Sequence, residues 1–163
     1  MNESEIVEAI PSLLRISRRI VGSIDDAEEV VQGALLEIIQ HKDRWNRIES
    51  WQGFLRHLVT KRSLDRLRKR PPPDPLSSEP NDPSQLQPIE HSMQQELLEQ
   101  FRNALSSLSD REAEVFSMRY LADHTNIEIS QRLSMSQNSV AVLLKRARTK
   151  LQHLMEMEAH YDR

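Results

Sequence analysis

The chain has 163 residues, of which 37% are apolar and 29% charged, with a net charge of −3. It has no cysteine, which excludes disulfides and thiolate metal sites, and its only glycines, Gly22, Gly33 and Gly53, are too scattered for a phosphate-cradling loop. No apolar run nears the roughly 18 residues of a membrane helix, and residues 1–5 are acidic rather than signal-like, so a cytoplasmic protein with no membrane insertion is expected.

Strand formers never alternate over a useful length, so the pattern predicts an all-α protein. The first helix is predicted over residues 11–21, with Ile10, Leu14, Ser17 and Val21 on one side, Leu13 and Ile20 beside them, and Pro11 in its first turn. Ser23 then caps a second helix whose acidic start, Asp25, Asp26, Glu28 and Glu29, complements the helix dipole. Ala27, Val30, Val31, Ala34, Leu35, Ile38 and Ile39 form its expected buried stripe. A polar loop over residues 41–47 follows. A third helix starts near Ser50, turns Trp51, Phe54, Leu55, Leu58 and Val59 inward, and ends in the cationic run Arg66-Leu67-Arg68-Lys69-Arg70.

Seven of the eight prolines fall between Pro71 and Pro88, where a helix is excluded. The expected organisation is therefore two small helical domains, 1–70 and 93–163, joined by a flexible, acidic, Pro-rich linker over 71–92. In the second block, residues 93–106 carry Leu97, Leu98, Phe101 and Leu105. Ser109-Asp110-Arg111-Glu112 and Thr125-Asn126-Ile127-Glu128 each fit a capping box. The second box opens a short helix to about Leu133. After Ser134-Met135-Ser136, Ser136 caps a last helix through Val140, Leu144, Ala147, Leu151 and Leu154.

A short helix, a three-residue turn and a longer helix make a helix-turn-helix, whose second helix lies in the DNA major groove. Gln137, Asn138 and Ser139 stand at the end that meets base edges; Lys145, Arg146, Arg148 and Lys150 are placed to grip phosphates. A generic helical hairpin with polar caps has the same spacing. The charge distribution favours nucleic acid: residues 54–70 hold seven cations and one acid, whereas residues 1–53 hold six cations and ten acids. No catalytic, cofactor or metal site is expected. The six histidines lack ligand spacing, and Asp25 and Asp26 are explained by the helix start they occupy.

Four segments together resemble a known family. Asp26-Ala27-Glu28-Glu29-Val30-Val31-Gln32 resembles the acidic segment with which bacterial sigma factors hold the clamp of RNA polymerase. Phe54-Leu55-Arg56-His57-Leu58 through Leu64-Asp65-Arg66-Leu67-Arg68 resembles the helix after their minus-ten reading loop. Residues 108–116 and 139–148 resemble the start of the minus-thirty-five module and the end of its recognition helix. Their order, and the lack of room for further domains, resemble the extracytoplasmic-function type.

The resemblance implies a protein that binds core RNA polymerase and promoter DNA and directs transcription initiation, without a small-molecule substrate. It places Asp26, Glu29 and Gln32 on polymerase. Lys42, Arg44, Trp45, Asn46 and Arg47 go to the melted minus-ten element, with Arg56, Lys61, Arg62, Arg66 and Arg68 along its backbone. Gln137, Asn138, Ser139, Lys145, Arg146, Arg148 and Lys150 go to the minus-thirty-five element. Trp45 is suited to stacking on an unstacked base and equally to packing under its loop; Trp51 reads as core.

Three departures stand out. Ala141-Val142-Leu143 is apolar where the family's recognition helix is polar, with Leu143 in place of a common arginine. Ser134 stands where glycine is frequent, and Lys61 where asparagine is usual. The apolar run suggests that Val142 and Leu143 are covered by a partner such as an anti-sigma factor. Two other readings stay open: a stand-alone helix-turn-helix regulator, and a sigma-like decoy that binds polymerase or anti-sigma without reading promoters.

Overall fold

The computed structural model describes residues 2–71 and 89–161. Most of the proline-rich stretch therefore lies outside the described residues. Helix α1 runs Glu3–Val21, eight residues longer than the sequence pattern predicts. Asn2 caps it, accepting from Ser4 N at 2.6 Å, while Glu5 accepts the Asn2 amide at 2.9 Å. That reciprocal cap and the acidic first turn nucleate the helix ahead of Pro11, which sits in its interior on an exposed position. Proline costs one helical hydrogen bond there, and the side that faces the core carries none of that cost. The helix stops at Gly22, whose φ of 85° is the left-handed geometry glycine adopts without strain.

Helix α2, Ile24–Gln40, is capped by Ser23, which accepts from Asp26 N at 3.3 Å. Ala27, Val31, Ala34 and Ile38 are buried at helical spacing. Ile39, expected in the same stripe, is 52% exposed because it lies one residue, about 100°, round the helix from Ile38. A 3-10 turn, Lys42–Trp45, leads to α3, Trp51–Lys69, capped by Ser50. α1 and α3 pack on each other and on α2. Where α1 meets α3, the buried hydroxyl of Ser63 donates to that of Ser17 at 2.8 Å, so neither polar group is left unpaired in the core.

Helix α4, Ile89–Ser107, starts four residues before the predicted residue 93. Leu105 is buried in it, whereas Leu97 and Leu98 are about half exposed. Helices α5, Asp110–Tyr120, and α6, Asn126–Arg132, precede the long α7, Gln137–Tyr161. Thr125 and Glu128 close the full capping box predicted for α6. At α5 only half of the predicted box forms. Ser109 accepts the Glu112 amide, but the Glu112 carboxylate turns away to Lys150. Ser134 holds φ 51°, so the glycine-like turn is built from a serine.

Val115, Met118, Ile129, Val140 and Leu144 form a small core for the helix-turn-helix. A larger cluster runs from Leu13, Ile20, Ile38 and Leu55 into Leu105, Leu108, Ala113 and Leu151. The described halves thus share a continuous apolar core, each fully buried Leu, Ile or Val in it contributing about 1.5–3 kcal/mol.

Candidate nucleic-acid interface

The two basic segments are placed differently. In the second half, Gln137, Asn138 and Ser139 are exposed at the start of α7. Ser136 caps that start, accepting from Ser139 N at 3.1 Å, and the two serine hydroxyls lie 2.9 Å apart. Ser139 is therefore partly committed to the cap, which leaves Gln137 and Asn138 as the freer side chains. Lys145 and Arg146 are exposed further along. The two other predicted phosphate-binding cations have internal partners. Arg148 donates to the Tyr120 hydroxyl at 2.6 Å. Lys150 Nζ lies 2.9 Å from both oxygens of Glu112, a carboxylate that is 6% exposed.

Leu143 packs against the small core, which explains an apolar residue at that position without any partner. Val142 is 48% exposed and Ala141 is exposed.

In the first half, α2 and α3 present opposite charge side by side. Arg66 bridges Asp26 at 2.7 Å and Glu29 at 2.9 Å, and Arg62 pairs with Glu37. The hydrogen bond to Asp26, reinforced by the charges of Asp26 and Glu29, holds the Arg66 guanidinium further above its ordinary range. Gln32 is exposed one turn beyond Glu29. The predicted polymerase-binding and minus-ten residues are thus brought together, with Arg62 and Arg66 already neutralised by α2 acids. Glu37, which sequence reasoning passed over, has no motif to mark it.

Arg56 and Arg68 of α3 face the second half. Arg56 donates to the carbonyls of Ala122 at 3.2 Å and Asp123 at 3.3 Å. Arg68 pairs with Asp110 and reaches the Leu108 carbonyl. Lys61, Arg44, Asn46 and Arg47 are exposed; Lys42 opens the 3-10 turn. Trp45 packs on Phe54 with ring centroids 4.8 Å apart, so of its two predicted roles the structure displays the packed one. Its indole nitrogen is buried with no hydrogen-bond partner.

Three side chains at the junction carried no sequence signal. His57 Nε2 lies 2.9 Å from Glu114 Oε1; an ionised carboxylate only accepts, so the ring nitrogen carries the proton. Burial alone would raise the Glu114 carboxyl, but the His57 hydrogen bond and charge, with Arg111 and Lys61, hold it below the usual carboxylate range. His124 is fully buried and neither ring nitrogen has a hydrogen-bond partner. Burial, then the charges of Arg56 and Arg132, lower its pKa to about 4.

An acidic helix face beside a basic helix, followed by a helix-turn-helix, matches two family descriptions in that order. Residues 6–71 match sigma-70 region 2, and residues 98–151 match sigma-70 region 4. The chain belongs to the sigma-70 family. It is a sigma factor, a protein that binds core RNA polymerase and promoter DNA. The fold of this sigma factor is similar to that of RpoE from Bartonella quintana, solved in complex with the anti-sigma factor NepR. The two are 18% identical over 94% of this chain and 96% of that one, with a TM-score of 0.59. No curated protein sequence matches. Among the described residues, no helix is long and apolar enough to cross a membrane.

Proposed function

We propose that this sigma factor divides its work between residues 1–70, which hold polymerase and the minus-ten element, and residues 93–163, which read the minus-thirty-five element, with 71–92 as the tether. Asp26, Glu29 and Gln32 contact the polymerase clamp. Lys42, Arg44, Asn46 and Arg47, with Trp45 swung from Phe54 onto a flipped base, take the melted minus-ten strand. Arg56, Lys61, Arg62, Arg66 and Arg68 follow its backbone. Gln137 and Asn138, with Ser139, read the minus-thirty-five duplex while Lys145 and Arg146 hold its phosphates. Arg148 and Lys150 join them only by releasing Tyr120 and Glu112.

The observation that carries this reading is the alignment of Asp26 and Glu29 on α2 directly against Arg66 of α3. It sets an acidic protein-binding face beside a cationic DNA-binding one, which a stand-alone regulator does not need. The decoy reading loses its main support, because Leu143 is part of the local core. The chain has no catalytic role of its own and works in the cytoplasm, where polymerase is. An anti-sigma partner, as in the Bartonella complex, fits the cleft of about 690 Å³ lined by Leu14, Ile24 and Phe101 with Arg15, Arg18 and Arg19 at its edge. An amphipathic helix bearing carboxylates matches that lining.

The test is reconstitution with purified bacterial core polymerase. Co-elution that weakens on Asp26→Lys or Gln32→Ala, with transcripts initiating at defined promoters, is expected. Duplex binding with no co-elution would leave the stand-alone regulator as the reading.

A further inference from the structure

The apolar run near the start of α7 divides in two. Leu143 packs against the helix-turn-helix core, whereas Val142 is 48% exposed. Buried Val140, Leu144, Ala147 and Leu151 mark the side of α7 that is turned to the core. At about 100° per residue, Val142 stands on the opposite side, one turn after Asn138 and one turn before Lys145 and Arg146. All three of those residues are exposed. The outward face therefore carries a carboxamide, then a branched apolar side chain, then two cations.

The local fold gives no reason for the valine. Its neighbours three and four residues away along the helix are Asn138, Ser139, Lys145 and Arg146, so no apolar pair forms there. A β-branched residue is also a poorer helix former than alanine, lysine or arginine. What valine does offer is a stiff pair of methyl groups. In a helix its χ1 keeps essentially one setting, so little rotamer freedom is lost when the side chain is covered. The covering surface has to be apolar opposite Val142 and anionic around Lys145 and Arg146. The DNA major groove meets both conditions at a thymine, whose C5-methyl group faces the groove between the phosphate backbones.

We propose that Val142 selects thymine in the minus-thirty-five element by packing its γ-methyl groups on the C5-methyl group. Four residues of helix rise about 6 Å, against about 3.4 Å per base along a strand. That thymine therefore lies within about two base pairs of the base met by Asn138. The inference rests on the reading of α7 as the minus-thirty-five helix and names a specificity residue for it.

The probe is a duplex promoter fragment that the reconstituted holoenzyme transcribes. Each thymine of its minus-thirty-five element, on either strand, is replaced singly by uracil. That change removes the methyl group and leaves the pairing edge and the O4 acceptor in place. Holoenzyme affinity for every fragment is measured with the unmodified chain, with Val142→Ala and with Lys145→Ala. Alanine is the better helix former, so the first variant keeps its fold.

The unmodified chain should lose about four-fold in affinity at one thymine, the effect of uncovering a single methyl group. Val142→Ala should bind the thymine fragment more weakly by a similar factor and no longer distinguish thymine from uracil at that position. Lys145→Ala should bind every fragment more weakly and keep the full discrimination, because a phosphate contact carries no sequence information. Two results overturn the proposal. One is an unmodified chain indifferent to uracil at every position, an element without A·T pairs included. The other is Val142→Ala discriminating as strongly as the unmodified chain, which would leave the side chain for a protein contact. Failure of the functional reading looks different: the unmodified chain then gives no promoter-specific transcripts with core polymerase, and the inference falls with it.

Discussion

Lys150 clasps both carboxylate oxygens of Glu112 at 2.9 Å, joining the middle of α7 to the first turn of α5. This pair gives a residue that reads as a phosphate contact an internal partner, and it separates two cations that look alike in sequence.

Lys150→Ala leaves the Glu112 carboxylate buried without its partner, which costs about 1–3 kcal/mol. Thermal unfolding should show a Tm several degrees lower. Lys145→Ala should leave Tm unchanged, weaken duplex binding, and reduce the slope of log affinity against log salt by about one unit. Equal Tm values for the two variants would contradict the assignment of Lys150 to the fold.

His124 makes stability depend on pH above the range where carboxylates titrate. Its folded pKa is about 4, below the ordinary 6.5, so the unfolded chain binds the extra proton first as pH falls. The contribution is fully present above about pH 6.5 and is lost between there and pH 4, to a total of roughly 3 kcal/mol. His124→Leu should flatten the stability profile between pH 6.5 and 4.5 while leaving the steeper carboxylate limb below it. A wild-type profile that is flat over that window would show that His124 is not buried as a neutral ring.

Ser134 occupies a left-handed position, φ 51°, at the turn of the helix-turn-helix. Ser134→Gly relieves a side-chain clash but gives the unfolded chain more freedom, and the net expectation is a gain of about 0.5–1 kcal/mol. Chemical denaturation would record it as a higher midpoint with unchanged slope. A loss of stability would mean that the serine makes a compensating bond in solution.

Trp45 rests on Phe54 with its indole nitrogen unpartnered. A buried donor without an acceptor costs free energy that a new environment can recover. In a Trp51→Phe protein, Trp45 is the sole indole. Its emission should be quenched when core polymerase and a single-stranded minus-ten fragment are added, and Trp45→Ala should weaken that binding about ten-fold or more, in line with the loss of one stacked base. Emission that does not change on binding would keep Trp45 in the core.

Much of this was legible in the chain because it is local. Ser23, Ser50, Thr125 and Ser136 cap helices within three residues of themselves, and each was visible as a hydroxyl before an apolar-periodic run. The left-handed turn at Ser134 follows from a glycine-like position in a known motif. What escaped was decided across the fold. Pro11 argued for a helix start, yet the Asn2–Glu5 box outweighs one lost backbone bond. Glu112 fitted a capping box, yet a lysine 38 residues away offers its carboxylate a stronger, charge-assisted partner. Arg66 and Arg68 both read as DNA contacts, and nothing in their spacing reveals that one answers to α2 and the other to α5.

The three glycines, unrelated in sequence, share a circumstance. Each lies beneath an arginine: Gly22 under Arg102, Gly33 under Arg62, and Gly53 under Arg132. At Gly22 a methyl group would stand 2.8 Å from the Arg102 guanidinium carbon, and at Gly53 it would collide with Arg132. Two of these arginines, Arg102 and Arg132, belong to the second half, whereas all three glycines belong to the first. How closely the halves approach is therefore governed by bulk as well as by charge, at places where a single hydrogen atom stands in for a side chain. Gly53→Ala then adds bulk without charge at this seam, and the Arg132 guanidinium that lies over it must give way.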